Sequence, residues 1–211
     1  DVTIDLFQPL LVGILNVTPD SFSDGGKFVV TERAVEYALQ LASDGAGMID
    51  VGGESTRPGS KTISSSLEWK RVESVLKNFK KKHKSICLSI DTRKSDVMLK
   101  SLKFGTNLIN DVSGFTYDKR SISRLKKYHV PKVLHHMQGT PNTMQINPKY
   151  KNVLLDIFDF FENNTKKKLN DEKIILDPGI GFGKTLKHNL TLISNISLFH
   201  SLGFPILVGT S

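Results

Sequence analysis

Short apolar runs alternate with longer amphipathic ones along almost the whole chain, and this alternation restricts the fold more than any other property. Strand-like runs cover residues 10–16, 48–51, 86–91, 108–111, 132–135, 174–177 and 205–209. Between them, apolar residues recur every three or four positions. Ala34, Ala38 and Leu41 form one such period; Trp69, Val72, Leu76 and Phe79 form another; Met98 and Leu102 a third. Leu154, Phe158 and Phe161, then Leu192, Ile196 and Phe199, repeat the pattern, and a shorter period lies around Ile122, Leu125 and Tyr128. That spacing gives a helix one buried face. Ser65-x-x-Glu68 reads as a capping box opening the second helix. Strand–helix repetition without an internal repeat or low-complexity linker predicts a parallel sheet covered by helices. An open doubly wound sheet and a (β/α)8 TIM barrel both fit. Seven strands and no glycine-rich dinucleotide turn favour the barrel. Barrels take about 250 residues. The expectation is therefore a single domain over 1–211, a barrel truncated after its seventh strand.

Polar residues sit where such a fold places a site. Asn16, Asp91, Asn110 or Asp111, and Asp177 end the first, third, fourth and sixth runs. In a closed parallel barrel those ends meet at one mouth. Carboxylates accept hydrogen bonds, and carboxamides both donate and accept, so the set suits a flat heterocycle with several N–H groups. The segment from Asp177 to Thr185 resembles a phosphate loop, but only three residues separate Gly179 from Gly183, one short of an ATP cradle. It reads instead as a tight glycine turn that brings a ligand close to backbone, with Phe182 as an apolar wall. His135 and His136 are adjacent on a strand and face opposite ways, which disfavours a shared metal. No zinc-ligand spacing occurs, whereas a hard cation such as Mg2+ needs few protein oxygens.

Composition narrows the partners. The formal charge is +8, from 29 basic and 21 acidic residues. The excess is mainly lysine near predicted helix ends, without interleaved aromatic platforms, which argues for solvated faces and no nucleic-acid partner. No apolar run is long enough to span a membrane. Cys87, the single cysteine, lies in an apolar run and reads as a buried thiol in a reducing compartment, cytoplasmic or an organelle interior.

Two long motifs, Asn16-Val-Thr-Pro-Asp-Ser-Phe-Ser-Asp-Gly-Gly26 and Asp50-Val-Gly-Gly-Glu-Ser-Thr-Arg-Pro-Gly59, carry a family resemblance. Ser89-Ile-Asp-Thr92, Ile109-Asn-Asp111, His136-Met-Gln-Gly-Thr-Pro141 and the loop from Asp177 to Lys184 follow in order. Together they resemble the dihydropteroate synthase family of pterin-binding enzymes. The resemblance implies condensation of 6-hydroxymethyl-7,8-dihydropterin diphosphate with 4-aminobenzoate. It implies that Asp91, Asn110 and Asp177 hold the pterin edge, with Met137 and Phe182 also on the substrate. Asn16 would position Mg2+ on the diphosphate. Thr56 and Arg57 would face the diphosphate, and Phe22, Asp24 and Pro58, on two closing loops, would shape the aminobenzoate pocket. A homodimer is the implied parent assembly. The family pattern continues past the seventh strand with Ser-Arg-Lys and a later Arg-x-His, which fall outside these 211 residues. Weak or no turnover by this chain alone is the corresponding expectation.

Two rival readings make different demands, and the loops Asn16–Gly26 and Glu54–Gly59 argue strongly against the first. A related pterin barrel that transfers methyl groups to a corrinoid protein would not need the two closing loops. A non-catalytic pterin-binding remnant would bind ligand without turnover.

Overall fold

The computed structural model describes residues 6–18, 27–83, 85–169 and 173–210. Strands and helices alternate: β1 (Val12–Asn16), α1 (Lys27–Ser43), β2 (Met48–Gly52), α2 (Ser65–Lys82), β3 (Cys87–Asp91), α3 (Ser95–Leu102) and β4 (Leu108–Asp111). Then come α4 (Ser121–Leu125), β5 (Lys132–His135), α5 (Val153–Asn164), β6 (Ile174–Asp177) and α6 (Leu186–Ser194). Strand order in the parallel sheet follows chain order, as short βα connections require. The chain divides into two compact units, Asp1–Ser55 with Thr62–Asn110, and Thr56–Lys61 with Asp111–Ser211.

In the first unit the periodic residues become its core. α1 buries Ala34 and Ala38, α2 buries Trp69, Val72, Val75, Leu76 and Phe79, and α3 buries Val97 and Met98. Full burial of a side chain such as Phe79 contributes roughly 2–3 kcal/mol. β2 is buried along its whole length, as a central strand with helices above it must be. Glycine permits the closest approach: a Cβ on Gly53 would stand 2.9 Å from Val72 and 3.0 Å from the Glu68 carbonyl of α2. α2 begins one residue earlier than its sequence suggests. The Ser64 hydroxyl accepts from the Leu67 amide (3.2 Å), so Ser64, not Ser65, is the N-cap. The expected partner Glu68 takes no part in a capping box, because its carboxylate is drawn into a buried ion cluster described below.

In the second unit β5 and β6 pair from Lys132↔Ile174 to His135↔Asp177. α5 packs Ile157 and Phe161 inward, and Phe161 meets the Phe199 ring edge-on at 5.5 Å. Asn152 caps α5 by accepting from the Leu154 and Leu155 amides. The last predicted helical period is split. α6 ends at Ser194, and Ile196–Leu202 forms a 3-10 turn closed by Gly203 in the left-handed region. The seventh predicted strand, 205–209, contracts to one parallel bridge between Ile206 and Leu176. Backbone bonds from Leu176 to Pro205 and from Leu207 to Leu176 flank that bridge.

Candidate active site

In the first unit, parallel register lines up the polar strand ends. Asn16 pairs with Gly52, Gly52 with Asp91, and Asp91 with Asn110, forming one row at the C-terminal ends of four strands. Registered residues of a parallel sheet project to the same face. Gly52 leaves room between its neighbours: a Cβ there would lie 3.4 Å from both Asn16 Oδ1 and Asp91 Oδ2. Three of the sequence-predicted residues, Asn16, Asp91 and Asn110, are thus brought together.

A fourth residue, Asp50, was not singled out from the sequence. Its Oδ2 accepts a 2.8 Å bond from Asn110 Nδ2. That contact fixes the carboxamide's orientation, leaving Asn110 Oδ1 buried with no protein partner among the described residues. A buried acceptor without a donor favours a ligand N–H at that point. The available signal was a carboxylate inside the apolar strand Met48–Gly52. The alternative strand-end residue, Asp111, is absorbed by its own turn: Oδ1 accepts from the Ser113 amide (2.8 Å) and hydroxyl (2.6 Å).

The start of the second sequence motif rests on charge. Glu54 is buried and accepts from Arg93 through Nε (3.2 Å) and Nη2 (2.6 Å), and from Lys94 Nζ (2.8 Å). Lys94 also reaches Glu68. Burial acts to raise the Glu54 pKa, but the bonds from Lys94, Arg93 and the Ile63 amide outweigh it and hold the carboxyl below its ordinary range. Glu68 has fewer such partners, and burial raises it. Because Glu54 also accepts from the Ile63 amide (2.9 Å), one carboxylate ties together both ends of the loop 55–62.

The tip of that loop, Thr56–Lys61, belongs to the second unit. Its Gly59 amide donates to the Pro141 carbonyl at 3.1 Å. With its amide nitrogen turned to the loop, Asn142 donates to the carbonyls of Ser60 (2.7 Å) and Gly59 (3.3 Å). Thr56 is half-buried, and Arg57 and Pro58 are exposed. Phe22 and Asp24 lie outside the described residues.

The second unit builds its own polar cluster where β5 and β6 end. Asp177 Oδ1 accepts from the Gly179 amide at 2.8 Å. Burial raises the Asp177 pKa, against the opposing pull of His135, the Gly179 amide and Lys184. The turn after Asp177 lies against the residues that end and follow β5. A Cβ on Gly179 would be 2.0 Å from the His136 carbonyl oxygen, and one on Gly183 would be 2.5 Å from the Gln138 carbonyl oxygen. Both glycines have positive φ, 68° and 66°. Phe182 meets the His135 ring edge-on at 4.6 Å, and Met137 is half-buried. The turn is therefore an apolar-walled glycine loop, as its spacing predicts.

Lys184 ends the loop that contributes to the family resemblance, where the sequence assigns it no role, and it closes this turn. Its Nζ donates to the carbonyls of Phe182 (2.9 Å) and His136 (3.2 Å) and lies 3.0 Å from His136 Nδ1. Burial pushes the ammonium down to about 7, although Asp177 raises it. Burial, with Lys184 and His135 adding to it, pushes His136 down to about 2, so the imidazole is neutral. The lysine sets a measurable slope. Between pH 7 and its ordinary 10.5 the unfolded chain keeps a proton that the folded chain releases. Stability therefore rises with pH in that window, by up to about 1.4 kcal/mol per unit. Denaturant melts at pH 7 and pH 9 are expected to show this rise in the native protein and not in Lys184→Met. Equal slopes in both would contradict the burial of a depressed lysine.

With this geometry in place, comparison with known proteins is decisive. Residues 12–211 match the family described as pterin binding enzyme. This chain belongs to that family. It is 44% identical over 209 residues to the dihydropteroate synthase of Clostridium beijerinckii, covering 95% of this chain and 73% of the relative. Identity to the dihydropteroate synthase of Escherichia coli K12 is 40% over 213 residues, covering 99% and 75%. Among solved structures, Yersinia pestis dihydropteroate synthase in a sulfonamide drug complex superposes with a TM-score of 0.91 at 40% identity, over 100% of this chain and 77% of the other. The Xanthomonas albilineans enzyme with 4-aminobenzoic acid gives 0.89 at 35% identity, over 98% and 74%. The fold is thus that of the pterin-binding (β/α) barrel enzymes. This chain spans about three quarters of the length of these relatives.

Proposed function

We propose that the protein is a dihydropteroate synthase, joining 6-hydroxymethyl-7,8-dihydropterin diphosphate to 4-aminobenzoate with release of diphosphate. The observation that carries this reading is the row Asn16–Gly52–Asp91–Asn110, on strands whose family includes the synthases above. Relatives have been solved with 4-aminobenzoic acid and with 7,8-dihydropteroate, one reactant and the product of this reaction.

The residues divide the work by chemistry. Asp91 and the outward oxygen of Asn110 accept from pterin N–H groups, and Asp177 does the same from the end of β6. The buried Asp50 keeps the Asn110 carboxamide from flipping. In the reaction the aniline nitrogen forms a bond to the pterin methylene while the C–O bond to diphosphate breaks. The leaving group takes the electron pair, and the amine loses one proton to solvent. Positive charge develops on the methylene as diphosphate departs, and preorganised carboxylates stabilise it without rearranging. Thr56 and Arg57, on the loop tethered by Glu54, supply a hydroxyl and a cation for the anionic reactants. Met137 and Phe182 give apolar contact. Phe22, Asp24 and Pro58 complete the proposed aminobenzoate contacts.

Asn16 would hold the Mg2+ of this reading. Asn16 presents a carboxamide oxygen over the side-chain-free Gly52, and a hard cation there can draw its other ligands from substrate diphosphate and water. Held there, the ion would neutralise charge on the leaving diphosphate. The same reading assigns the enzyme to the cytoplasm as a homodimer acting in folate synthesis. Among the described residues no helix is long and apolar enough to cross a membrane.

The test is diphosphate release by the protein that carries this chain, assayed with each substrate omitted in turn and with Mg2+ removed by chelation. Release that needs all three, with dihydropteroate as product, is expected. Pterin binding without release under any condition would favour the non-catalytic reading.

A further inference from the structure

His135 ends β5 opposite Asp177 in the same ladder, and nothing in the reaction outlined above employs it. Its ring is buried, and its Nδ1 lies 2.8 Å from the Val112 carbonyl oxygen. A carbonyl can only accept, so the ring hydrogen sits on Nδ1 and Nε2 carries a lone pair. Burial lowers the pKa of His135 and keeps the ring neutral, although the nearby Asp177 charge pulls the other way. Nε2 then stands 3.9 Å from Asp177 Oδ2. That is too long for a hydrogen bond. Neither atom has a hydrogen-bond partner among the described residues, because Asp177 accepts its backbone bond through Oδ1. The end of β5 and the end of β6 thus hold two acceptors side by side with no donor between them.

Two neighbours define the surroundings of that pair. Phe182 packs edge-on against the imidazole at 4.6 Å and limits its rotation. Gly179 sets no side chain against Nε2: a Cβ at this position would lie 3.1 Å from the nitrogen and 2.9 Å from Cε1. A pair of adjacent acceptors is complementary to a group carrying two hydrogens on one nitrogen, and is repelled by a carbonyl oxygen.

We propose that His135 is a substrate-recognition residue, whose Nε2 accepts a hydrogen bond from the exocyclic amino group of the same pterin that Asp177 Oδ2 holds. This rests on the synthase reading and adds a selectivity to it. His135 with Asp177 distinguishes a 2-amino pteridine from a 2-oxo pteridine. The 2-oxo compound turns a carbonyl lone pair toward two lone pairs.

The experiment measures binding of pterin and of lumazine, its 2-oxo counterpart, to the protein and to His135→Leu, His135→Gln and Asp177→Asn. Thermal melts establish that each variant is folded. His135→Leu is expected to weaken pterin binding about tenfold, the effect of one lost hydrogen bond in a dry site, and to leave lumazine binding unchanged. His135→Gln places an amide oxygen near the position of Nε2 and is expected to recover most of the loss. The KM for 4-aminobenzoate is expected to stay constant throughout. Unchanged pterin affinity in His135→Leu would overturn the proposal. So would an equal loss of pterin and lumazine, which marks a packing role. If Asp177→Asn weakens pterin while His135→Leu does not, the synthase reading stands and this inference fails. If the unaltered protein binds neither pteridine, both fall together.

Discussion

Gly179→Ala is expected to remove about 3 kcal/mol of stability and to reduce activity on the order of a hundredfold. Two physical terms add. The residue sits at φ 68°, where an L side chain costs roughly 1–2 kcal/mol. The new methyl carbon would also lie 2.0 Å from the His136 carbonyl oxygen, an overlap that no side-chain rotation relieves because the obstacle is backbone. The turn must therefore lift away from the residues after β5. Asp177 is carried with it, since its Oδ1 is bonded to the Gly179 amide. For a chain of this size about 3 kcal/mol corresponds to a fall in Tm of roughly 6–12 °C. Gly181→Ala is the internal control. Gly181 also has positive φ, 84°, but a Cβ there meets nothing within 4 Å. Only the backbone term remains, so its loss is expected to be about half as large or less. Equal effects from the two alanines would show that close approach to His136 is not what the first glycine provides.

Glu54→Ala is expected to be at least as damaging to stability, by about 3–5 kcal/mol, the usual consequence of removing one partner from a buried ion cluster. The carboxylate takes both bonds described from the Arg93 guanidinium to Glu54 and one from Lys94. Glu68 continues to serve Lys94 after the substitution. A loss of this size is a large part of the 5–15 kcal/mol that holds typical domains together. The loop 55–62 also loses the bond that ties its Ile63 end to its beginning, so KM values for the anionic substrates should rise in the folded fraction. Pairing the change with Arg93→Met, as Glu54→Met/Arg93→Met, removes both charges. It is expected to recover part of the stability and none of the loop tethering. Denaturant titration of the single and double variants measures the first effect, and steady-state kinetics the second. A single variant within 1 kcal/mol of the native protein would contradict the cluster's structural role.

Much of this protein is legible without coordinates. Periodicity located the six strands of the described residues and most buried helix faces, because burying one face of each element is a local requirement written into spacing; in α5 the buried positions are Val153, Ile157 and Phe161, so the expected face at Leu154 and Phe158 is one residue out of phase. The strand-end residues Asn16, Asp91, Asn110 and Asp177 followed from the same spacing, since each polar side chain closes an apolar run. The glycines of the Asp177–Thr185 segment signalled a tight turn through their spacing alone. Sequence and structure part where a residue has two compatible uses. Glu68 has the right spacing for a cap and the right position for an ion cluster. The ion cluster won because Lys94 lies within its reach. The seventh strand has strand-like composition over five residues, but only Ile206 forms a bridge to β6.

Relations between distant segments belonged to the tertiary structure. Sequence could not tell that Asn16, Gly52, Asp91 and Asn110 share one row, since that depends on strand register, which hydrogen bonding sets across the sheet. Nor could it orient the Asn110 amide, which Asp50 does from 60 positions away. It could not distinguish His135 from His136: alternation sends them to opposite faces, but only packing shows which one meets Asp177 and which meets Lys184. Local chemistry along the chain determined the elements and the kinds of groups at their ends. Long-range register and packing decided which of those groups meet, because neighbours in space are chosen by the fold and leave no trace in local spacing.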